Sequence, residues 1–211
     1  LFEGSLKRED IIFCAKIGGL NKSDLVVKCN NISHTISIKK GNENSIHQEP
    51  LEEFIKFLKE EYDIDQSIAD DLRFFIWGDG TLNSTGKKRL KASELKKQYP
   101  ERISGPKRFF KKHKKDLIKR FLINGPKSQS SPEFIYYGTV DKGKWGKSED
   151  ILKFLSEECK ESKIAAIPIG GLTMQAWNRN TAKQSKKNRR GSIQVKWNSI
   201  DKHLKLIGGP K

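Results

Sequence analysis

Two β-rich runs, 24–29 and 32–39, flank Asn30-Asn31, and a side-chain period of two sorts most of their apolar and polar residues onto separate faces. Asparagine tolerates the positive φ angles of a two-residue turn, so the pattern predicts an antiparallel hairpin with Asp24 opposite Ser37. Because side chains alternate between faces, Leu25, Val27, Ile36 and Ile38 share one face, and Asp24, Thr35, Ser37 and Lys39 share the other. The first face is expected to be core and the second to carry chemistry. Upstream, Ile11 to Ala15 reads as a strand ending at Gly18-Gly19, and Gly41 to His47 reads as a polar loop. Pro50 suits the first turn of a helix running to about Asp63, with Leu51, Phe54, Ile55 and Leu58 as its apolar stripe. A second helix near 65–73 leads into Phe74 to Trp77, read as a buried strand that stops at the turn Gly78-Asp79-Gly80.

The segment 82–124 reads as helical, with Pro100, Gly105 and Pro106 dividing it into two helices. Phe110, Leu117, Ile118 and Phe121 form an inward stripe on the second. A loop over 128–132 precedes a strand over 134–140 and a helix near 148–159. The chain closes with strands over 172–178 and 192–197 around a polar, basic connection, then a short helix near 199–206. No internal repeat is evident. The fold class expected is α/β, with a mixed central β-sheet flanked by helices.

A chain of 211 residues with 35% apolar content is long enough for one substantial core. Charge changes the picture more than size does. Lys and Arg number 42 against 26 Asp and Glu, a formal charge of +16 that favours a polyanionic partner, nucleic acid first. The basic residues recur at 86–97, 107–120 and 179–196, whereas a membrane-surface protein concentrates them in one amphipathic stretch. No apolar run is long enough for a transmembrane helix and no signal-peptide pattern opens the chain, so no membrane role is expected. Cys14, Cys29 and Cys159 are widely spaced and form no CxxC pair, which argues against a disulfide framework or a structural zinc site and for a cytoplasmic setting. The chain opens at Leu1 instead of Met, so a segment could precede it.

Asp24, then Ser37-Ile38-Lys39 on the next strand, then a glutamate on the following helix, together resemble the PD-(D/E)XK nuclease superfamily. The match is to the branch of type II restriction endonucleases whose motif runs Asp, Ser-x-Lys, helical Glu. Glu53 lies fourteen residues after Lys39, Glu49 is placed one turn earlier on the same helix, and Glu52 is close. Ser23 stands where the motif usually has proline, and Ser37 where most of the superfamily has a carboxylate or Gln. The resemblance covers about residues 9–60. It implies a restriction-endonuclease-like core and a Mg²⁺ cofactor held by Asp24 with Glu53 or Glu49. Mg²⁺ prefers few carboxylates and several waters, and Lys39 would orient the attacking water and balance the pentavalent anion. It also implies that such enzymes commonly act as homodimers. On this reading 1–211 is a single nuclease domain, with a catalytic core over 1–80, a basic helical insertion over 82–124, and C-terminal strands carrying the DNA-binding surface over 133–211.

Gln175, Trp177 and Arg179 alternate on one C-terminal strand, and Gln194 and Lys196 on the next, giving a face of amides, an indole and cations suited to base edges and phosphates of double-stranded DNA. Arg179, Lys183, Lys186, Lys187, Arg189 and Arg190 would add phosphate contacts. Eight Lys or Arg within 107–120, beginning with Lys107 and Arg108, would position the backbone. Gln194-Val195-Lys196 resembles a catalytic Q-x-K signature, but 177–191 contains no acid to accompany it. His34, His47, His113 and His203 form no ligand set, and His47 and Gln48 could support the metal site or touch DNA. Two other readings stand beside the duplex nuclease: a non-catalytic nucleic-acid-binding module, and a nuclease acting on RNA or single strands.

Overall fold

The structure is a computed structural model that describes residues 6–19, 21–40, 44–86, 89–127, 129–161, 166–177 and 190–207. In chain order the strands are β1 (Ile12–Lys16), β2 (Leu25–Cys29), β3 (Ile32–Lys39), β4 (Ser45–Pro50), β5 (Phe134–Thr139), β6 (Lys142–Lys147), β7 (Ile167–Ile169), β8 (Leu172–Ala176) and β9 (Ser192–Lys196). The helices are α1 (Leu51–Tyr62), α2 (Gln66–Trp77), α3 (Ala92–Gln98), α4 (Pro100–Lys112), α5 (Lys114–Lys119), α6 (Ser148–Lys153) and α7 (Ile200–Ile207). α5 and α6 each run on as a π-helical turn, Arg120–Asn124 and Phe154–Glu158. The chain divides into two compact units, one of residues 1–44, 118–158 and 199–211, the other of 45–117 and 159–198. Among the described residues no helix is long and apolar enough to cross a membrane.

The first unit is built on a mixed five-stranded sheet in the order β1-β2-β3-β5-β6. β3 and β5 are parallel, which their long separation in sequence allows, and the other pairs of this sheet are antiparallel. The β2–β3 hairpin has the predicted register: Cys29 pairs with Ile32 across a two-residue turn, Leu25 pairs with Ile36, and Asn30 takes φ 51°. The expected division into a core face and a chemical face does not hold. Ser37 is only 1% exposed, whereas Ile38 on the opposite face is 37% exposed. The reason lies in the neighbouring strands. Fully buried Ile135 pairs beside Ser37, and Gly146, next along the same row, lies beneath Ile151 of α6 and Leu204 of α7. Helices thus cover the Ser37 face, while Phe134, packed edge-on to both His34 and Trp145, anchors the other.

The second unit holds an antiparallel sheet, β4-β9-β8-β7, with α1 to α4. All four predicted stripe residues of α1 are buried. α2 corrects the expected strand at 74–77: the helix continues to Trp77 and is closed by Gly78 in the left-handed conformation, its N–H donating to the Phe74 carbonyl. An apolar run of four cannot by itself distinguish strand from buried helix, and burial of Ala69, Leu72, Phe75 and Ile76 shows the helical period. Of the expected dividers Pro100, Gly105 and Pro106, only Pro100 breaks the helix, occupying the first turn of α4 after Tyr99. Pro106 lies buried inside α4, which continues past it although residue 106 has no N–H to offer the Arg102 carbonyl. Residues up to His47 were expected to be loop and Glu49 and Pro50 to open the helix, but Ser45 to Pro50 form a strand in which Ser45, His47, Gln48, Glu49 and Pro50 pair with Lys196, Val195, Gln194, Ile193 and Ser192 of β9.

Candidate active site and nucleic-acid interface

Asp24 stands at the entry to β2, where its carbonyl accepts from the Ile17 N–H and its own N–H donates to Ile36 at 2.8 Å each. That pairing holds the backbone, and the hairpin register then brings Ser37 across from it. Ser37 Oγ donates to Asp24 Oδ2 at 3.2 Å and the Ile38 N–H donates to the same oxygen at 2.6 Å. Among the described residues Oδ1 makes no hydrogen bond, so one carboxylate oxygen is oriented by two donors and the other keeps its lone pairs. Lys39, two residues past Ser37 on the same strand, extends from the same face. Asp24 and Lys39 are both half-buried. Lower on the hairpin, Glu133 pairs with His34 at 2.7 Å and its N–H donates to Thr35, while Thr35 Oγ1 donates to the Ser131 carbonyl at 2.8 Å. These bonds tie β3 to the segment entering β5.

Of the predicted signature, Asp24 and Ser37 are therefore in contact within the first unit, and Lys39 lies on the same strand face two residues on. Glu49, Glu52 and Glu53 belong to the second. Glu49 is not on a helix as expected: α1 begins at Leu51, and Glu49 lies on β4, buried on the side of Ile193 and Val195, where Oε1 meets Nε2 of buried His47 at 2.9 Å. Glu52 holds Arg73 through two hydrogen bonds of 3.0 and 2.6 Å. Glu53 is exposed in the first turn of α1. Among the described residues no three His, Cys, Asp or Glu side chains gather as a metal cluster. The chemistry of Asp24 nonetheless fits Mg²⁺, which takes one or two carboxylates and fills its remaining positions with water and phosphate oxygen.

The second unit carries the expected amide face and enlarges it. Gln175 and Gln194 are register partners, and Gln175 Nε2 donates to Gln194 Oε1 at 3.1 Å. Gln194 Nε2 donates to Ser45 Oγ at 3.1 Å, and Gln48 Nε2 donates to the same hydroxyl at 2.9 Å. Three glutamines on three adjacent strands thus form one hydrogen-bonded row, with Lys196 one step along β9 and Trp177 one step beyond β8. Each amide retains donor or acceptor capacity for a base edge, because Gln offers two donors and two lone pairs. Gln48 was read as able to touch DNA but not as part of this row, and Ser45 was missed, because residues up to His47 read as polar loop; Ile46 is the only aliphatic residue of the strand. Arg179, Lys183, Lys186, Lys187 and Arg189 lie outside the described residues. Arg190 turns toward its own unit, approaching Asp79 to 3.9 Å and the Trp77 ring to 6.0 Å. Lys107 pairs loosely with Glu161 at 3.8 Å and Arg108 is exposed on α4.

No family model matches the sequence, and no curated protein matches it. Among solved structures the chain is similar to a crystal structure of the restriction endonuclease MspI in complex with its cognate DNA, at a TM-score of 0.52 and 13% identity, over 90% of this chain and 72% of that one. The fold is therefore α/β and restriction-endonuclease-like.

Proposed function

We propose that this protein is a Mg²⁺-dependent endonuclease that hydrolyses phosphodiester bonds of double-stranded DNA at preferred sequences. The observation that carries the reading is the Asp24 carboxylate, oriented through Oδ2 by Ser37 and the Ile38 amide beside Lys39, in a restriction-endonuclease-like fold. Asp24 would hold the metal, which when bound supplies Lewis-acid polarisation of the phosphate. Ser37 and the Ile38 amide restrict the carboxylate to one orientation, and Lys39 supplies a cation for the charge that develops on phosphate. The net charge of +16 draws in the polyanion, and the row formed by Gln175, Gln194 and Gln48 meets base edges, with Lys196 against phosphate. The structural neighbour was solved with its cognate DNA, which favours duplex DNA over RNA.

The second reading, a duplex-binding module without catalysis, is favoured by Ser37 standing where most of the superfamily carries a carboxylate or Gln. Incubating the chain with long duplex DNA in Mg²⁺ or in EDTA, then sizing the fragments, separates the two. Discrete fragments that require Mg²⁺ and vanish in Lys39→Ala support the enzyme. Intact DNA that is nonetheless retarded in a gel supports the module.

A further inference from the structure

The loop between α2 and α3 contains a buried charge cluster that the catalytic reading does not use. Asp79 has a fully buried side chain, and its Oδ1 accepts from the Thr81 N–H at 3.1 Å and from Thr81 Oγ1 at 2.7 Å. Arg89, 7% exposed, approaches Oδ2 to 3.2 Å and donates to Ser84 Oγ at 2.9 Å and to the Trp77 carbonyl. Arg190, from a distant part of the chain, approaches the same Oδ2 and donates to the Ser84 hydroxyl and, at 3.3 Å, to the Ser84 carbonyl. Burial alone would raise the pKa of Asp79, but the Thr81 hydroxyl and amide and the Arg89 guanidinium outweigh it and bring the group below the ordinary carboxylate value.

This arrangement is costly. Ser84 adopts φ 68°, a conformation that non-glycine residues seldom take, and a Cβ on Gly86 would stand 2.2 Å from the Asp79 carbonyl. What the cluster holds is the residue just before β9. Gly191 follows Arg190 at φ +77°, pressed so closely on Trp77 that a Cβ would meet the ring at 2.3 Å. Its carbonyl takes the Leu51 N–H at 2.8 Å, and the next carbonyl, of Ser192, takes the Trp177 N–H at 2.9 Å. Position is thus passed from Asp79 through Arg190 to the start of β9, the strand carrying Gln194 and Lys196, and to Trp177.

We propose that Asp79 is a positioning residue for duplex DNA binding, acting through Arg190 to set the start of β9 and with it the face of Gln175, Gln194 and Lys196. This rests on the reading of that face as the DNA-contacting surface. The role has an electrostatic signature, because Asp79→Asn adds one positive charge to the protein. Charge alone predicts tighter binding to DNA. Positioning predicts weaker binding, by roughly tenfold if the loss matches one misplaced base contact.

The test is fluorescence anisotropy, in EDTA over a salt series, of a labelled duplex that wild type enriches from a random-sequence pool, with a thermal melt of each variant. Asp79→Asn is expected to bind more weakly than wild type, and in an Arg190→Gln background to cause no further loss. Ser84→Gly provides a second arm. Glycine relieves the positive φ, which offsets part of the loss of the hydroxyl that both arginines use, so binding is expected to weaken in a protein that the melt shows to be folded. Equal or tighter binding by folded Asp79→Asn, or wild-type binding by Ser84→Gly, would overturn the proposal while leaving the DNA reading intact. Failure of wild type to bind the duplex would overturn both.

Discussion

Asp24 and Asp79 are the same residue type held in opposite ways. Asp24 is half-buried, held through one oxygen by a hydroxyl and an amide, and neither donor is a cation. Asp79 is fully buried, bonded by Thr81 through one oxygen and faced by two guanidinium groups at the other. A carboxylate that must accept a metal needs orientation without neutralisation, and a carboxylate that must anchor chain segments needs the reverse. On the proposed reading, their surroundings separate an acid free to take a metal from one that anchors chain segments.

The contrast is broken most severely at Asp24. Asp24→Asn should lower metal-dependent cleavage by a factor on the order of 10²–10³ or more, comparable to loss of a principal electrostatic catalytic group, while the thermal melt stays near wild type. Asp79→Ala should do the opposite: by leaving Arg89 and Arg190 without their anion it should cost about 3–5 kcal/mol in denaturant unfolding. The same pair sharpens with pH. Because Asp79 is depressed in the folded state, its contribution to stability is complete above the unfolded value of about 3.9 and is lost as pH falls through the lower folded value. The stability gap between wild type and Asp79→Asn should therefore be constant near neutrality and narrow only in strong acid.

Smaller effects follow at the partners. Ser37→Ala leaves the Ile38 amide on Asp24 and should reduce activity by about 10–100-fold, with the loss concentrated at low Mg²⁺. Gln194→Ala interrupts the row between Gln175 and Ser45 and should cost about 1–3 kcal/mol of discrimination between preferred and other sequences, read as the ratio of binding constants. Arg108→Ala should leave sequence preference unchanged and lower the salt dependence of binding by about 0.9 in log–log slope, the signature of one phosphate contact.

How much of this was legible in the sequence differs between the two regions. The hairpin was readable because a period of two and an Asn-Asn turn fix register residue by residue, and Asp24 meets Ser37 as that register requires. That Gln175 and Gln194 lie on one amide face was readable from the same alternation, but their direct pairing was not, because no short turn joins their strands to fix the register. β4 was not, because a strand written Ser-Ile-His-Gln-Glu-Pro has no alternation of its own and is held by pairing with β9, far away in the chain. That also hid Ser45 and the place of Gln48 opposite Gln194, and it misplaced Glu49 onto a helix. Phe74 to Trp77 misled because α2 is buried on several sides there, so its polar positions run out before its helix does. Gly78-Asp79-Gly80 reads correctly as a turn, but nothing local reveals that its acid is buried; that depends on Arg190, more than a hundred residues away.

The central claim is that Asp24 is the acid of a metal-dependent nuclease site. It is tested most directly by measuring cleavage and binding of one duplex by wild type and Asp24→Asn side by side, in Mg²⁺ and in EDTA. The account predicts that both proteins bind, that only wild type cuts, and that it cuts only with Mg²⁺. Cleavage by Asp24→Asn at the wild-type rate would contradict it, as would wild type that binds the duplex and leaves it intact in Mg²⁺.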